Sequence, residues 1–347
     1  MSNQESSFTE PERRVYEARN VNSDPREQGQ QYQREYPQTY GGSGQQQQQV
    51  GEKLYAPNNR RPRRRGLLLI LALLVLIVLA GGGFLSQVGI FTSTQQSTNT
   101  HSIASTGHPR LVIHDDSGTV HIHTGGNSSS VVITETKHAT GLGSVSLNDM
   151  HVTYGGSDNT VEITAQDGIN PLFFGSKGID LDITAPNTSD VIVTDGSGQV
   201  EIDDVTGQVQ AETGSGSITV NNLNGPATLK TGSGTITVQG LVGQASMTTG
   251  SGDIQVKGAT LSGQSTMKTG SGSIDFSGSI DPAGSYNFGT GSGSITLALP
   301  ASSAFKLDAT TDSGTVTNGF GSNSVGSGQQ AGLQLHTGSG DISLRKN

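Results

Sequence analysis

The sequence predicts an all-β protein whose main domain is a β-solenoid, a parallel β-helix-like stack of coils of roughly 18 to 21 residues. Three observations lead there: a glycine-rich hexapeptide that recurs, a regular spacing between its copies, and alternation of apolar and polar residues around each copy. The hexapeptide TGSGxI begins at Thr213, Thr231, Thr249, Thr269, Thr290 and Thr337.

The first residue of each triplet within this motif marks the register of the repeat. The marks are Asp116, Gly196, Gly214, Gly232, Gly250, Gly270, Gly291, Asp312 and Gly338. From Gly196 they stand 18, 18, 18, 20, 21, 21 and 26 residues apart. A period near 20 is typical of a solenoid rather than of a compact globule.

Aliphatic residues fill fixed columns around each mark. Four residues after it stand Val120, Val200, Ile218, Ile236, Ile254, Ile274, Ile295, Val316 and Ile342. Similar columns lie six residues after, three before and five before. Because the positions between them are polar, each coil is predicted to have a short strand on either side of a glycine corner. The threonines and serines of the motif are expected to stack, with hydroxyls that bond along each column.

Composition divides the chain into four segments. Residues 1–65 are rich in Gln and Arg and are predicted to be a disordered cytoplasmic tail. Within residues 66–86, the stretch 67–85 has no charge and is long enough to cross a bilayer, so we predict a transmembrane helix. Residues 87–109, rich in Ser and Thr, are predicted to be a flexible stalk, and residues 110–347 the solenoid.

Charge predicts the orientation and excludes one class of partner. Five arginines precede the apolar stretch and no Lys or Arg follows it until Arg110, which favours a cytoplasmic N-terminus and an extracellular C-terminal domain. After residue 100, nine Lys and Arg stand against twenty-one Asp and Glu. Because so acidic a domain repels the phosphate backbone, we predict that it does not bind nucleic acid. The chain has no cysteine, so its stability must come from pairing and packing.

Between the first two marks the repeat is irregular, as expected of a terminal cap. The segment 172–175, LFFG, is predicted to be a hydrophobic plug of that cap, with a small exposed patch as the alternative.

Several enzyme signatures fail on inspection. No GK[ST] follows a glycine loop, and each triplet precedes a strand instead of the helix that a phosphate loop needs. Segments 303–306, 157–159 and 230–232 spell S-x-x-K, S-D-N and K-T-G, but in the wrong order for a penicilloyl-serine enzyme. We predict no catalytic residues and no cofactor.

Three histidines are the candidates if a metal site exists, although none is predicted. His121 and His123 flank the inward Ile122, so both point outward on one strand, and His114 lies nearby in sequence with Asp115. Outward histidines are more often plain surface residues.

The enzymatic alternative is a polysaccharide-acting parallel β-helix. It would need outward carboxylates that converge on adjacent coils, for which the candidates are Glu201, Asp203, Asp204 and Glu212.

The repeated TGSGxI with alternating strands over residues 110–347 resembles the bacterial putative-adhesin family, β-solenoid cell-envelope domains of unknown function. The resemblance implies surface display and adhesion, and supplies no catalytic residues. We therefore expect a single-pass membrane protein that binds the bilayer through residues 67–85 and a wall glycan or surface protein through its solenoid, without catalysis. A third possibility is an accessory protein of envelope stress or signalling.

Overall fold

The computed structural model describes residues 92–125, 129–168 and 174–347. Within these ranges it contains β-strands and no helix, which confirms the all-β prediction. None of the described segments is a helix that could span a membrane. The predicted tail over 1–65 and the predicted transmembrane segment over 66–86 lie outside the described residues.

The strands fall into three groups along the chain. The N-terminal group is β1 (Thr92–Ala104), β2 (Arg110–Thr124), β3 (Ser130–Leu142), β4 (His151–Gly155), β5 (Thr160–Gln166), β6 (Gly175–Ala185) and β7 (Asp190–Asp203). The regular coils contain β8 (Val209–Thr213), β9 (Ile218–Asn224), β10 (Ala227–Ser233), β11 (Ile236–Gly243), β12 (Ala245–Ser251), β13 (Ile254–Leu261), β14 (Gln264–Ser271), β15 (Ile274–Ile280), β16 (Ser285–Ser292) and β17 (Ile295–Leu299). The C-terminal group is β18 (Phe305–Ser313), β19 (Val316–Asn318), β20 (Ser324–Val325), β21 (Ala331–Ser339) and β22 (Ile342–Lys346).

The regular coils stack in parallel and in register, as the repeat predicts. The strands before the triplets form the ladder β7–β8–β10–β12–β14–β16, and those after them form β7–β9–β11–β13–β15–β17. Equivalent residues face each other, such as Leu229 with Met247 and Ile236 with Ile254. Like side chains therefore pile up at the spacing between strands, about 4.8 Å.

The predicted aliphatic columns form the core. Ile218, Ile236 and Ile254 are fully buried, and a further buried position near the end of each coil's second strand is filled by residues such as Leu223 and Leu241. Val316 is the exception in its column and is 44% exposed. The reason is topological, because its strand β19 pairs with β22 alone.

The chain's last strands do not form the end of the stack. β21 and β22 pair with β16 and β17 on one side and with β18 and β19 on the other. The final coil of the sequence is thus inserted one layer inward, and the preceding coil caps the stack. β2 is inserted in the same way at the other end, since it lies between β7 on one side and β5 and β6 on the other.

This insertion predicts an unusual pattern of amide exchange. The amides of Ile342 and Leu344, five and three residues from the last residue, should exchange at least about tenfold more slowly than those of Val316 and Asn318. Hydrogen exchange measured by NMR or mass spectrometry on the intact chain checks this. Faster exchange in β22 than in β19 would show that the last strand lies at the end of the stack.

The TGSG motif is a structural joint between coils. From Thr231 onward, each threonine hydroxyl of the column donates to the carbonyl of the second glycine in the preceding coil of the stack, as in Thr231 to Gly216 at 2.8 Å and Thr249 to Gly234 at 3.0 Å. Thr311 bonds Gly340 and Thr337 bonds Gly293, which follows the inserted order. The expectation that hydroxyls bond to one another along the column is therefore wrong for threonine, because a carbonyl lies closer.

Residues 92–104 are an edge strand, which corrects the prediction of a flexible stalk over 87–109. β1 pairs antiparallel with β3 along its whole length. Threonines face threonines across this ladder, and the Asn99 amide donates to the buried Glu135 carboxylate at 2.9 Å. The polar composition hid the strand because its side chains are exposed and it needs no apolar face.

The plug prediction is wrong at Phe174. This side chain is 70% exposed, beside Leu142, which is 55% exposed and whose amide donates to the Phe174 carbonyl at 3.0 Å. These two residues form a small exposed apolar patch, the alternative weighed from the sequence. Leu172 and Phe173 lie outside the described residues.

Candidate functional site

A cluster of histidines and carboxylates lies on the outer face of the sheet near the N-terminal end of the stack. His121 on β2 is the register partner of Asp182 on β6 and of Glu201 on β7. His123 and Asp203 lie two residues further along their strands. Because side chains two apart share a face, the inserted strand β2 brings these five side chains together.

The imidazole of His121 lies between two carboxylates. Its Nδ1 is 3.5 Å from Asp182 Oδ2, and its Nε2 is 3.0 Å from Asp203 Oδ2. His123 Nε2 is 3.1 Å from Asp182 Oδ1 and 3.3 Å from the Thr184 hydroxyl. The two imidazole rings are 5.0 Å apart, centre to centre. The Asn221 amide donates to the other oxygen of Asp203 at 2.7 Å.

The surrounding carboxylates change the titration of His121. Partial burial works to lower its pKa, but the hydrogen bond with Asp203 and the charges of Glu201, Asp203 and Asp182 outweigh that effect and raise the pKa. The side chains of His121 and His123 are 32% and 34% exposed, so a solute can reach them.

His114 does not join this cluster. It lies before the corner of β2, on the other ladder, where it lines a cleft of about 340 Å³ with Asp116, Thr164, Gln166 and Thr194. Of the three histidines that the sequence singled out, the structure brings together His121 and His123 and leaves His114 apart.

The four carboxylates proposed for polysaccharide cleavage do not converge. Glu201 and Asp203 lie in the histidine cluster, whereas Asp204 accepts a hydrogen bond from the Asn222 amide at 2.9 Å. Glu212 lies on the other ladder, paired with Lys230. The S-x-x-K and S-D-N segments are likewise separated, because the turn at 157–159 precedes β5 at one end of the stack and Ser303 precedes β18 at the other.

A second group of carboxylates is buried where the threonine column begins. Asp115 and Asp195 occupy the position just before the triplet and are register partners, and Asp195 is in turn partnered by Thr213. They are 5% and 3% exposed. The Thr213 hydroxyl donates to Asp195 Oδ2 at 2.9 Å, and the Ser117 hydroxyl donates to the nearby Asp167.

Burial dominates the titration of this group. It raises the pKa of Asp115 to about 8, and the charges of Asp195, Asp167, Asp116 and Asp180 add to the rise. Burial also raises the pKa values of Asp195 and Asp167 against opposing hydrogen bonds from Thr213 and Ser117. Both oxygens of Asp115 are buried without a hydrogen-bond partner in the described part of the chain.

Asp115 was weighed from the sequence only as a neighbour of His114, and Asp195 and Asp167 were overlooked, although a signal was present for Asp195. The column that reads threonine from Thr213 onward begins with Asp115 and Asp195. A carboxylate at a position that is buried and otherwise occupied by threonine is unusual, because burying a charge is costly. Aligning the columns one place before each mark would have found it.

A family model, described as Toastrack DUF4097, matches residues 108–345, which is more than half of the chain. The chain belongs to this family. The match covers all the regular coils and most of the N-terminal cap, including both carboxylate groups. No curated protein matches the chain.

Three solved structures are similar to this Toastrack chain. A protein named a putative cell adhesion protein from Clostridium sporogenes shares 12% identity over 73% of this chain and 100% of its own, with a TM-score of 0.25. A protein named a putative adhesin from Bacteroides fragilis shares 13% sequence identity over 72% of this chain and 97% of its own, with a TM-score of 0.43. A second protein named a putative adhesin, from Parabacteroides distasonis, shares 11% sequence identity over 71% of this chain and 97% of its own, with a TM-score of 0.40.

Proposed function

We propose that this Toastrack domain is a non-catalytic, adhesin-like binding module of the cell envelope that holds an extended partner, a wall glycan or a surface protein, along its corner. The observation that carries the proposal is a row of serine hydroxyls in register on the outside of the stack. In stacking order the paired members are Ser233, Ser251, Ser271, Ser292, Ser339 and Ser313, and Ser197 and Ser215 hold the same place in the two preceding triplets.

The serine row offers unused hydrogen-bonding capacity. All eight residues are exposed, and their hydroxyls have no protein partner among the described residues, in contrast to the neighbouring threonines. Stacking sets neighbours about 4.8 Å apart. A rigid row of hydroxyls at a constant spacing can bond an extended polymer at many points, and weak contacts then add.

Anchorage completes the proposal. The charge-free stretch 67–85 crosses the membrane, and the arginines before it keep residues 1–65 in the cytoplasm. The solenoid then stands outside the cell, with the edge strand β1 close to the anchor in sequence.

The buried position of the unusual carboxylates supports a role without catalysis. A glycosidase needs an acid with a raised pKa that touches the scissile bond. Asp115 and Asp195 have raised pKa values and border the cleft beside His114, but they are only 5% and 3% exposed, too little to touch the scissile bond of a polymer. Because they stack at the beginning of the threonine column, their role in this proposal is structural.

Binding tests this function. Residues 92–347, which keep β1, are expected to bind at least one class of purified wall polymer or arrayed glycan. Replacing the serines at 215, 233 and 251 together by Ala should weaken that binding by at least about tenfold, because three hydrogen bonds are lost.

The matched control replaces Thr219, Thr237 and Gln255 by Ala. These residues face outward on the same coils but belong to another row. Equal loss in both triple variants would contradict a role for the serine row. Turnover of any polymer by the unaltered domain would overturn the non-catalytic proposal.

A further inference from the structure

The five-residue cluster around His121 contains a set of atoms arranged for a metal ion. One ligand atom each from His121, His123 and Asp182 lie within 4.8 Å of one another. Such a separation lets a single cation touch all three after small side-chain rotations. We propose that His121, His123 and Asp182 bind a zinc ion on the outer face of the stack.

The backbone fixes the three ligands before any ion arrives. His121 and His123 are two residues apart on β2, and Asp182 is the direct partner of His121 on β6. All three strands around them are held in a continuous sheet, because β7 pairs with β2 on its other side. A site built on such strands loses little conformational entropy when it binds.

The donor set selects the metal. Two imidazoles and one carboxylate are ligands typical of zinc, whereas calcium and magnesium take oxygen almost exclusively. Three protein ligands leave the fourth tetrahedral position to water. The ligand side chains are between 32% and 55% exposed, so the ion has direct access from solvent.

Asp203 completes the arrangement without binding the metal. When Nδ1 of His121 binds zinc, Nε2 carries the proton, and Asp203 Oδ2 stands 3.0 Å away to accept it. Asn221 holds Asp203 by donating to its other oxygen. A carboxylate that orients a ligand histidine in this way is a recurrent feature of zinc sites.

A second set of three groups, His121, Glu201 and Asp203, also lies within 4.8 Å. It has one imidazole and two carboxylates, so it suits zinc less well. Because both sets share His121, the assignment of the first leaves Glu201 as a nearby negative charge that favours a cation.

Calorimetric titration of the full chain in detergent with zinc chloride, at about pH 7.5, tests the proposal. We expect one zinc ion per chain. His123→Gln should weaken binding by more than about 100-fold, and Asp203→Asn, which removes only the orienting acceptor, by about 10- to 100-fold. His114→Gln is the matched control, since it changes a histidine of the same strand outside the cluster and should leave the affinity unchanged.

Three results would overturn the site: no binding by the unaltered chain, equal binding by His123→Gln, or a loss of affinity in His114→Gln as large as in His123→Gln. If the His123 variant loses its folded circular dichroism spectrum, cobalt absorption of the unaltered chain decides. Tetrahedral cobalt bands that zinc displaces would support the site, and their absence would refute it.

Discussion

Replacing Gly216 by Val is expected to lower the free energy of unfolding by about 3 kcal/mol or more. A β-carbon at this position would lie 1.6 Å from the carbonyl oxygen of Gly198 in the preceding coil. Atoms cannot approach so closely, so the two coils must separate locally. Separation also stretches the hydrogen bonds between these two coils, from the Ser215 amide to the Gly196 carbonyl at 3.2 Å and from the Val200 amide to the Ser217 carbonyl at 3.0 Å.

Urea denaturation followed by circular dichroism measures the effect. Ser215→Val is the matched control, because it adds the same side chain in the same triplet at an exposed position, and it should change stability by less than about 0.5 kcal/mol. Gly216→Ala should already destabilise strongly, since the clash begins at the β-carbon. A Gly216→Val chain as stable as the unaltered one would contradict the close stacking of the coils.

The core of the solenoid could be predicted because it depends on a local pattern. The columns at Ile218 and Leu229 follow from period-two alternation and a repeat near 20 residues, both of which are visible in the letters. Each residue there touches its equivalent in the next coil, so a sequence-local rule determines a long-range contact.

The order of the coils at both ends could not be predicted in this way. β22 pairs with β17 although more than forty residues separate them, and β2 lies beside β7 instead of beside β3. The last spacing, 26 residues, and the DSG triplet at Asp312 mark the end of the repeat as irregular, but neither indicates which coil is inserted and which is terminal. Exposure of Val316 is the physical consequence that reveals which coil is the cap.

The same limit applies to the candidate site. Alternation on β2 predicts that His121 and His123 share the outer face, and they do. Asp182 and Asp203 come to them only through the pairing of β2 with β6 and β7. The irregular strand β6 carries no triplet, so its register had no mark to align.

The buried pair Asp115 and Asp195 predicts that the domain loses stability as the pH rises. In the folded chain the pKa of Asp115 is about 8, against an ordinary value of 3.8. Between these two values the folded state holds a proton that the unfolded state has released. The contribution of Asp115 to the free energy of unfolding is therefore largest below about pH 4. It declines by about 1.4 kcal/mol per pH unit until about pH 8.

Asp115→Asn should remove most of this pH dependence and stabilise the chain at pH 8. The amide has nearly the shape of the protonated acid and carries no charge to bury. Asp195 and Asp167 also have raised pKa values, so part of the slope should persist in the variant. The gain should vanish near pH 4, where Asp115 is protonated in both states.

Thermal or urea unfolding of both chains between about pH 4 and pH 9 measures the difference. Asp308→Asn is the matched control, because Asp308 is exposed on β18 and its replacement removes a charge without changing the core. Stability that rises with pH across this range, or an Asp115→Asn chain less stable than the unaltered one at pH 8, would mean that Asp115 is charged in the folded state. A bound cation or a hydrogen-bond donor would then have to stabilise the charged carboxylate. The beginning of the threonine column would in that case be a binding site, and Asp115 would not be a protonated structural residue.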